Sequence, residues 1–327
     1  MKNLNEIKIA IKEDLVYFDS LLEKQIYTED ELLKDKIQYL FEPKGKRIRP
    51  ILVYLIARMF NHPNANTHLT AFIVEILHTA TLIHDDVVDN SSLRRGRVTS
   101  NNKWDNKTAI LLGDYLFAKC MYMIYEKSFY GLFDIISPVL VDLSYGELQQ
   151  LKYNNKNTCD KDEYFEIINK KTASLIAACC VAGAYSVGAK DSDLKQLHKF
   201  GIFIGQIYQI RDDILDYSNN KNTGKDFGND ITERKMTLPL ILALEKSPEN
   251  EKKNIISLWE SNETKNGDIK NIKKFVKKYN GIKDSIEIMN KLKTEALKIL
   301  KPYENSDYKE ALEVFLKQLT QKEQVLS

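Results

Sequence analysis

The chain has 327 residues, of which 43% are hydrophobic and 29% are charged, as in an ordinary soluble globular protein. Its net charge of +2 excludes a general electrostatic attraction to nucleic acid, so we expect no nucleic-acid partner. The four cysteines (Cys120, Cys159, Cys179 and Cys180) show no metal-ligand spacing and predict free thiols, which fits a reducing, cytoplasmic location.

The first residues, MKNLNEIKIAIKEDLVYF, are interrupted by charges and predict no signal peptide. The longest uncharged run, 172–189, approaches the length of a membrane span. Because Ala, Ser, Cys and Gly dominate it, we interpret it as a closely packed helix in the core of a helical bundle. We therefore expect no stable membrane insertion.

Apolar residues recur at three- and four-residue spacing along the first part of the chain, which predicts helices. Residues 5–41 predict two amphipathic helices. Pro50 suits the first turn of a third helix, which ends before the turn NHPNAN. A long helix then begins at about Thr67 and ends in an acidic motif.

The remaining helices are predicted at 105–127, 131–152, 160–189 and 193–218, and Pro138 should kink the second of these or mark its start. The loop NNKNTGKDFGNDITERK follows and is either a plain surface loop or a lid over a bound anion. Pro239 opens another apolar helix, and the Lys-rich remainder predicts outer helices. No stretch shows the alternation of strands, so residues 1–327 predict a single all-α domain.

The stretch LIHDDVVDNSSLRRGR sets three aspartates at the end of the long helix. Asp85 and Asp89 are four residues apart and share a helical face, with Asp86 at its edge. Like charges at this spacing repel, so the cluster costs stability unless a cation lies between them. Carboxylate oxygens, completed by water and phosphate, are the ligands that Mg2+ takes. His78, two turns before Asp85, faces the same side.

The same DDxxD spacing recurs in QIRDDILD, where Asp212, Asp213 and Asp216 follow the apolar run 200–210. A solvated acidic helix end explains one such motif as well as a metal site does. Two motifs, each at the end of a buried helix, are not explained in that way. We therefore expect two facing carboxylate clusters that hold several Mg2+ ions around one multiply charged anion.

Basic residues near both motifs indicate that this anion is a phosphate or diphosphate. Lys46 and Arg49 lie at a helix N-terminus, where backbone N–H groups already favour anions. Arg94 and Arg95 directly follow the first acidic motif. Two basic clusters apart from the acids are what a reaction between two anionic substrates requires.

A metal-bound diphosphate is a good leaving group, and an allylic carbon attached to it would ionise to a delocalised carbocation. A second substrate, held at the second anion site, would then attack the cation through its double bond. No Ser/His/Asp or Cys/His nucleophile is evident, so the released diphosphate would itself take the proton after coupling.

At these motifs the chain resembles the trans-isoprenyl diphosphate synthase family over nearly its whole length. The resemblance rests on GKRIRP, HTATLIHDDVVDNSSLRRG, Gly113–Asp114, Lys171–Thr172, GQIYQIRDDILD and GKDFGNDITERKMTLP. It implies the isoprenoid synthase fold, an all-α bundle around a deep central cavity, and usually a homodimer. It also implies Mg2+-dependent elongation of an allylic diphosphate, such as farnesyl diphosphate, with isopentenyl diphosphate.

The resemblance assigns three groups of residues by motif. It implies that the Mg2+ ligands are the six aspartates Asp85, Asp86, Asp89, Asp212, Asp213 and Asp216. It implies that isopentenyl diphosphate is bound by Lys46, Arg49, His78 and Arg95. It implies that the allylic diphosphate is contacted by Arg94, Lys171, Thr172, Gln209, Lys225 and Lys235.

Two positions depart from the family pattern, and both are basic residues near the expected anion sites. Lys44 stands where the family usually has the first Gly of a GGK sequence, and Arg234 where it usually has Gly before the last Lys. These departures bear on the local backbone geometry more than on the chemistry.

The length of the product depends on how far the growing chain can extend along the long helix. Ala80 lies five residues before Asp85, about 7.5 Å along a helix. An aromatic residue there would block the chain, as in short-chain members of the family, whereas Ala80 and Thr81 leave the path open. Because the path along the helix stays open at this point, the chain is similar to a long-chain polyprenyl synthase, and we expect a product of roughly six to eight isoprene units, used as a quinone side chain. Phe133 and Ile136 are candidates for the cavity floor.

Three alternatives stay open. A geranylgeranyl diphosphate synthase would share every motif. A class I terpene cyclase also uses DDxxD, but it usually lacks a second DDxxD and needs no isopentenyl diphosphate site. A non-catalytic partner subunit would be expected to have lost acids or basic residues, whereas all six aspartates are present here. The sequence leaves the exact product length, the preferred primer and the acceptor of the chain undetermined.

Overall fold

A computed structural model of the chain describes residues 4–26, 29–42, 45–94, 96–154, 160–217, 229–260 and 266–321. Of the described residues, 83% are helical, which confirms the all-α prediction. The Cα positions cluster into two compact units. Unit 1 contains residues 1–138, 176–201 and 300–315, and unit 2 contains residues 139–175, 202–299 and 316–327. The assignment of residues 1–327 to a single domain stays a prediction.

The helices follow one another along the chain with one short ribbon and one π-helical turn between them. The first seven are α1 (Leu4–Ala10), α2 (Lys12–Ile26), α3 (Glu31–Phe41), α4 (Ile48–Phe60), α5 (Ala65–Val88), α6 (Ser100–Lys103) and α7 (Asn106–Glu126), with the ribbon strands β1 (Leu93–Arg94) and β2 (Arg97–Val98) between α5 and α6. The next four are α8 (Tyr130–Asn154), α9 (Lys161–Ile168), α10 (Ser174–Tyr185) and α11 (Asp191–Tyr217), with the π-helical turn (Asn169–Ala173) between α9 and α10. The last six are α12 (Asn229–Thr232), α13 (Leu238–Lys246), α14 (Glu249–Glu260), α15 (Asn266–Lys278), α16 (Gly281–Leu300) and α17 (Asp307–Leu319).

The structure differs from the sequence prediction in three places. Residues 5–41 form three helices rather than two, because the chain turns at Ile11 and again before Asp30, whose carboxylate caps α3. Strands β1 and β2 pair antiparallel although the sequence predicts no strand, since two residues per strand are too few to show an alternating pattern. The helix predicted over 160–189 is interrupted by the π-helical turn. Pro138 lies inside α8 and does not mark its start.

Helix α5 is the principal core helix of unit 1 and packs against α2, α4 and α7. Its N-terminus is fixed by a capping box, in which Asn64 Oδ1 accepts from the Thr67 N–H group and Thr67 Oγ1 accepts from the Asn64 N–H group. Every residue from 69 to 77 is buried. The helix ends at the first acidic motif, where Asn90 adopts a left-handed φ of 49°.

The small-residue helix α10 lies in the core, as the sequence predicts, and residues 173–180 are all buried. In unit 1 it approaches α4 closely, because a Cβ atom on Gly183 would lie 2.7 Å from the Val53 carbonyl oxygen. The stretch Lys161–Tyr185 has the length and hydropathy of a membrane span, but 72% of its most apolar window is buried inside the protein. Such burial is typical of a core helix.

Helix α13 provides the core of unit 2 and packs against α9 and α15. It begins with Pro239 in its first turn, as predicted, and every residue from 236 to 244 is buried. Gly281 opens α16 directly against the Pro239 carbonyl oxygen, where a Cβ atom would collide. The start of α13 is therefore packed closely against the start of α16.

The start of α4 is fixed in unit 1 by a buried ion pair. Arg47 precedes the helix with a left-handed φ of 57°, which costs a non-Gly residue about 1–2 kcal/mol. Its Nη1 atom donates to Glu75 Oε1 on α5 at 2.8 Å, and both side chains are only 10% exposed. The guanidinium also lies 5.4 Å from the centre of the Phe18 ring. These contacts hold the segment with Lys46 and Arg49 against α5.

We predict that Glu75→Gln lowers the free energy of unfolding by roughly 3 kcal/mol, because it leaves the buried Arg47 cation without its counter-charge. Urea unfolding followed by circular dichroism measures the change. The matched control is Glu42→Gln, which breaks the exposed pair between Arg97 and Glu42 (36% and 48% exposed) and should cost at most about 1 kcal/mol. Equal losses in the two variants would show that the buried pair does not fix α4.

Candidate active site

The first acidic motif lies where the sequence places it, at the C-terminal end of α5 in unit 1. Asp89 is the C-cap residue, and its N–H group donates to the Asp85 carbonyl oxygen at 2.8 Å. Asp85 and Asp89 are partly exposed, whereas Asp86 is 5% exposed. The end of a helix carries a partial negative charge, so these carboxylates repel both one another and the helix dipole. The motif therefore has the electrostatics of a cation site.

Arg94, on strand β1, neutralises the buried member of the motif. Its Nε atom donates to Asp86 Oδ1 at 2.6 Å. The Ser91 N–H group donates to the Asp86 carbonyl oxygen at 2.9 Å, which ties the loop after α5 to the helix end. Burial raises the pKa of Asp86 and Asp89 raises it further, while Arg94 opposes both effects. The ribbon is thus anchored on the motif by a charge-assisted hydrogen bond.

His84, next to the motif, has a structural partner that sequence reasoning missed. Its Nε2 atom lies 3.1 Å from the Ile110 carbonyl oxygen and 3.4 Å from Asp114 Oδ1, both on α7. The ring packs directly on Gly113, where a Cβ atom would collide with it. The Gly113–Asp114 pair, known from the sequence only as a family motif, therefore provides room and a partner for His84.

The residues expected to bind isopentenyl diphosphate lie in unit 1, at the start of α4 and on α5. Lys46 is exposed and Arg49 is half-buried, and both flank the anchored Arg47. His78 is half-buried on α5, one turn after Glu75. The buried pair between Arg47 and Glu75 thus joins the two segments that carry these residues. Lys44 and Arg95 lie outside the described residues.

The residues expected to set product length lie on α5 and α8. Ala80 is fully buried and Thr81 is half-buried, with Thr81 Oγ1 donating to the His78 carbonyl oxygen. Ile136 is fully buried, whereas Phe133 is 44% exposed. Ile136 is therefore the better candidate for a wall of the cavity, and its role stays a prediction.

The second acidic motif lies at the C-terminal end of α11, in unit 2. Asp212 is exposed and Asp216 is half-buried, whereas Asp213 is 1% exposed. The Tyr164 hydroxyl donates to Asp213 Oδ2 at 2.6 Å, and Gln209 Nε2 donates to Asp213 Oδ1 at 2.9 Å. Burial raises the pKa of Asp213 to about 6 against the effect of these hydrogen bonds. Each motif thus contains one buried aspartate between two more exposed ones.

Lys171 and Thr172, expected near the allylic diphosphate, lie in the π-helical turn of unit 2. Thr172 Oγ1 donates to Gln209 Oε1 at 2.9 Å, so the structure brings together these two sequence-predicted residues. Lys171 Nζ lies 2.7 Å from Glu147 Oε1 on α8. A π-helical turn is rare and frequently marks a functional site.

The segment before α13 contains a further predicted residue, Lys235, whose Nζ atom lies 2.5 Å from Glu233 Oε2. The preceding Arg234 has a φ of 56°, in the left-handed region that favours glycine. This explains why Gly is usual there in the family, and Arg234 adopts the same backbone at a cost of about 1–2 kcal/mol. Lys225, and with it most of the proposed lid, lies outside the described residues.

Asp230 is an acidic residue near the second motif that sequence reasoning missed. Burial raises its pKa well above the usual range, and the neighbouring Asp216 and Asp213 raise it further. Its carbonyl oxygen accepts from the Lys235 N–H group at 2.7 Å. Asp230 lies beyond α11, which ends at Tyr217, and belongs to no DDxxD motif, so its place in the sequence does not by itself indicate the proximity.

The donor chemistry of both motifs fits Mg2+. Among the described residues, no group of three or more His, Cys, Asp or Glu side chains is arranged to hold a metal ion. Mg2+ needs no such cage, because it is usually bound by one or two carboxylates and completes its octahedral shell with phosphate oxygens and water. The aspartates exposed enough to serve are Asp85, Asp89, Asp212 and Asp216. That the two acidic motifs face each other stays a prediction.

Comparison with known proteins supports the same chemistry. Residues 30–276 match the family model of polyprenyl synthetase. The chain is 36% identical to "Heptaprenyl diphosphate synthase component 2" of Geobacillus stearothermophilus, over 72% of this chain and 73% of that protein. It is 32% identical to the geranylgeranyl diphosphate synthase of Saccharolobus solfataricus, over 88% and 89% of the two chains.

Its structure matches that of a polyprenyl synthase from Caulobacter crescentus, complexed with calcium and isoprenyl diphosphate, with a TM-score of 0.90, 28% identity and 98% coverage of both chains. The fold is therefore the isoprenoid synthase fold. The family match covers most of the chain, and the relatives are prenyltransferases. The chain therefore belongs to the polyprenyl synthetase family and is a prenyltransferase of the trans-polyprenyl diphosphate synthase type.

Proposed function

We propose that this prenyltransferase condenses isopentenyl diphosphate with an allylic diphosphate such as farnesyl diphosphate, depends on Mg2+, and makes an all-trans long-chain polyprenyl diphosphate. The product would serve as a quinone side chain. The observation that carries the proposal is the pair of acidic motifs, each at the C-terminal end of a long helix, with more accessible carboxylates at i and i+4 around a buried one. The buried free thiols of Cys120, Cys179 and Cys180 fit a cytoplasmic enzyme.

The roles of the residues follow from their charge and exposure. Bound Mg2+ would draw charge from the allylic diphosphate and so promote its departure. The exposed Asp212 and the partly exposed Asp85 supply hard oxygen ligands at their helix ends. Lys46 and Arg49 hold the second diphosphate at the start of α4, where backbone N–H groups add to the attraction. Lys171 forms an ion pair with Glu147 in this structure. It would bind the allylic diphosphate by exchanging the carboxylate of Glu147 for the diphosphate.

The expected length of the product rests on Ala80. This residue is fully buried on α5, five positions before Asp85. A methyl group at this position would obstruct a growing chain less than an aromatic ring. The similarity to a heptaprenyl diphosphate synthase component favours a long product. The similarity to a geranylgeranyl diphosphate synthase supports the alternative of a four-unit product.

Product analysis of the purified chain tests the proposal. The protein is incubated with Mg2+, labelled isopentenyl diphosphate and farnesyl diphosphate, and the products are separated by length. We expect a ladder that ends at a long polyprenyl diphosphate and that disappears when EDTA removes the metal. Asp212→Asn serves as the inactive control, because it removes the exposed ligand of the second motif.

The other outcomes separate the alternatives. A product that stops at four isoprene units keeps the chemistry and replaces the long-chain assignment by a geranylgeranyl diphosphate synthase. A cyclic hydrocarbon formed without isopentenyl diphosphate would identify a terpene cyclase. Absence of any product would contradict activity of the chain alone and favour a requirement for a second subunit, in line with the name "component 2" of its relative.

We predict that Ala80→Phe shortens the product, because the ring would block the path between one and two turns before Asp85 on α5. Chromatography of the prenyl products measures the shift, and circular dichroism verifies that the variant is folded. Thr79→Val is the matched control, since it removes only the hydroxyl that donates to the Glu75 carbonyl oxygen and adds no bulk. A folded Ala80→Phe variant with unchanged products would show that length is determined elsewhere.

We propose further that the enzyme is a homodimer, and the support is an exposed apolar face on α7 in unit 1. Leu111, Tyr122 and Tyr125 lie on this helix and are 66%, 56% and 69% exposed. The neighbouring Tyr130, at the start of α8, is 56% exposed, and its ring centre lies 6.4 Å from that of Tyr125. Aromatic residues are enriched in the buried centres of protein interfaces.

We predict that the wild-type protein sediments at twice the chain mass and that the double variant Leu111→Asp, Tyr122→Asp sediments as a monomer. Burial of two carboxylates in an apolar interface is the physical reason. Analytical ultracentrifugation measures both. Leu32→Asp on α3, where the leucine is 71% exposed, is the matched control and should leave the dimer intact. A monomeric wild-type protein would contradict the proposal.

A further inference from the structure

The middle aspartate of the second acidic motif is enclosed by hydrogen-bond donors of the protein itself. Asp213 is 1% exposed, and both of its carboxylate oxygens are engaged. Oδ2 accepts from the Tyr164 hydroxyl at 2.6 Å and from the Leu238 N–H group at 3.5 Å, and Oδ1 accepts from Gln209 Nε2 at 2.9 Å. Asp212, its neighbour, is exposed. The two adjacent aspartates therefore have different surroundings and suit different roles.

The donors to Asp213 come from three elements of unit 2. Tyr164 belongs to α9, and Gln209 lies one turn earlier on α11. The Leu238 N–H group is the first of α13, and such groups lack a partner within their own helix. One buried carboxylate thus fixes the end of α11 against the other two helices. The hydroxyl bond is the shortest of the three, and short O–H···O⁻ bonds are the stronger kind.

The same contacts continue to the π-helical turn. Gln209 uses its NH2 group for Asp213 and its Oε1 atom for the Thr172 hydroxyl, at 2.9 Å. One turn earlier on α11, Gln206 Nε2 donates to Asn169 Oδ1 at 2.8 Å. Because Gln209 is hydrogen-bonded to both Asp213 and Thr172, a displacement of Asp213 is transmitted to Thr172 and to its neighbour Lys171.

We propose that Tyr164 and Asp213 are positioning residues. Asp213 does not contact the metal but orients Asp212 and Asp216. Through Gln209 it also orients Lys171 and Thr172. The inference rests on the proposed function, since it assigns Asp212 and Asp216 to the metal and the π-helical turn to the allylic diphosphate. Residues that support metal ligands from behind affect metal affinity by about 10–100-fold when they are changed.

The first experiment compares Tyr164→Phe with Tyr54→Phe. Each removes one hydroxyl from a buried tyrosine, and that of Tyr54 is bonded to His68 Nδ1 in unit 1. Mg2+ is titrated calorimetrically in the presence of inorganic diphosphate, and steady-state kinetics are measured in parallel. For Tyr164→Phe we expect Mg2+ affinity to fall about 10-fold and KM for the allylic diphosphate to rise, with KM for isopentenyl diphosphate unchanged. Tyr54→Phe should change none of these.

The second experiment separates a positioning role from direct ligation. Asp213→Asn preserves an oxygen acceptor and should reduce kcat/KM by about 10-fold, whereas Asp212→Asn should reduce it by at least about 100-fold. Combined with Tyr164→Phe, Asp213→Asn should cost less than the sum of the two single changes, because both weaken the same group of hydrogen bonds around residue 213. The same pair of changes is examined by the calorimetric titration.

Two results would overturn the inference. An Asp213→Asn loss as large as that of Asp212→Asn would make Asp213 a metal ligand. If the Tyr164→Phe and Tyr54→Phe proteins bound Mg2+ with the same affinity, the bond between Tyr164 and Asp213 would contribute to stability alone. Because the calorimetric readout uses inorganic diphosphate, it is independent of turnover. The Tyr164→Phe effect in a protein that makes no prenyl product would support the positioning role and reject the proposed function.

Discussion

Negative charge at the C-terminal end of a buried helix is the constraint on which much of this structure depends. Both α5 and α11 end in three aspartates, where the carboxylates repel one another and the negative end of the helix dipole. In each motif the middle aspartate is buried and hydrogen-bonded to other groups of the protein, whereas the outer two are more accessible. Under the proposed function, a bound cation would relieve the repulsion between the outer carboxylates, and the cost in stability would become affinity for metal.

The two motifs satisfy the buried aspartate by different chemistry. Asp86 is paired with the guanidinium of Arg94, which opposes the rise in its pKa. Asp213 is held by a hydroxyl, an amide and a backbone N–H group, all neutral, and burial raises its pKa to about 6. A cation can be drawn away by an incoming diphosphate, whereas three neutral donors on three helices are fixed. The first motif is thus tied to the ribbon through Arg94, and the second to helices α9 and α13 through Tyr164 and Leu238.

Much of this arrangement was predictable from the sequence because its signals are local. An apolar run followed by DDxxD predicts the end of a buried helix, and both ends lie where the spacing places them. The partners of Asp213 were not predictable, since Tyr164 is 49 and Leu238 is 25 residues away and neither position carries a signal of its own. The ribbon, with two residues per strand, is too short for a periodic pattern, and the left-handed backbone of Arg47 and Arg234 runs against residue preference.

The π-helical turn between α9 and α10 contacts two neighbouring helices of unit 2, α11 and α8. Side chains that hydrogen-bond to α11 stand at Tyr164 on α9 and at Asn169 and Thr172 in the turn itself. Asn169 reaches Gln206 and Thr172 reaches Gln209, one turn later on α11. The turn also leaves Lys171 beside α8, whose Gly146 lies so close that a Cβ atom would be 2.8 Å from the Lys171 nitrogen. A regular α-helix over Asn169–Ala173 would change the rotation of Thr172 about the helix axis relative to Tyr164. The bond from Tyr164 to Asp213 and the bond from Thr172 to Gln209 would then not both keep their present geometry, and the acidic motif would lose its connection to Lys171.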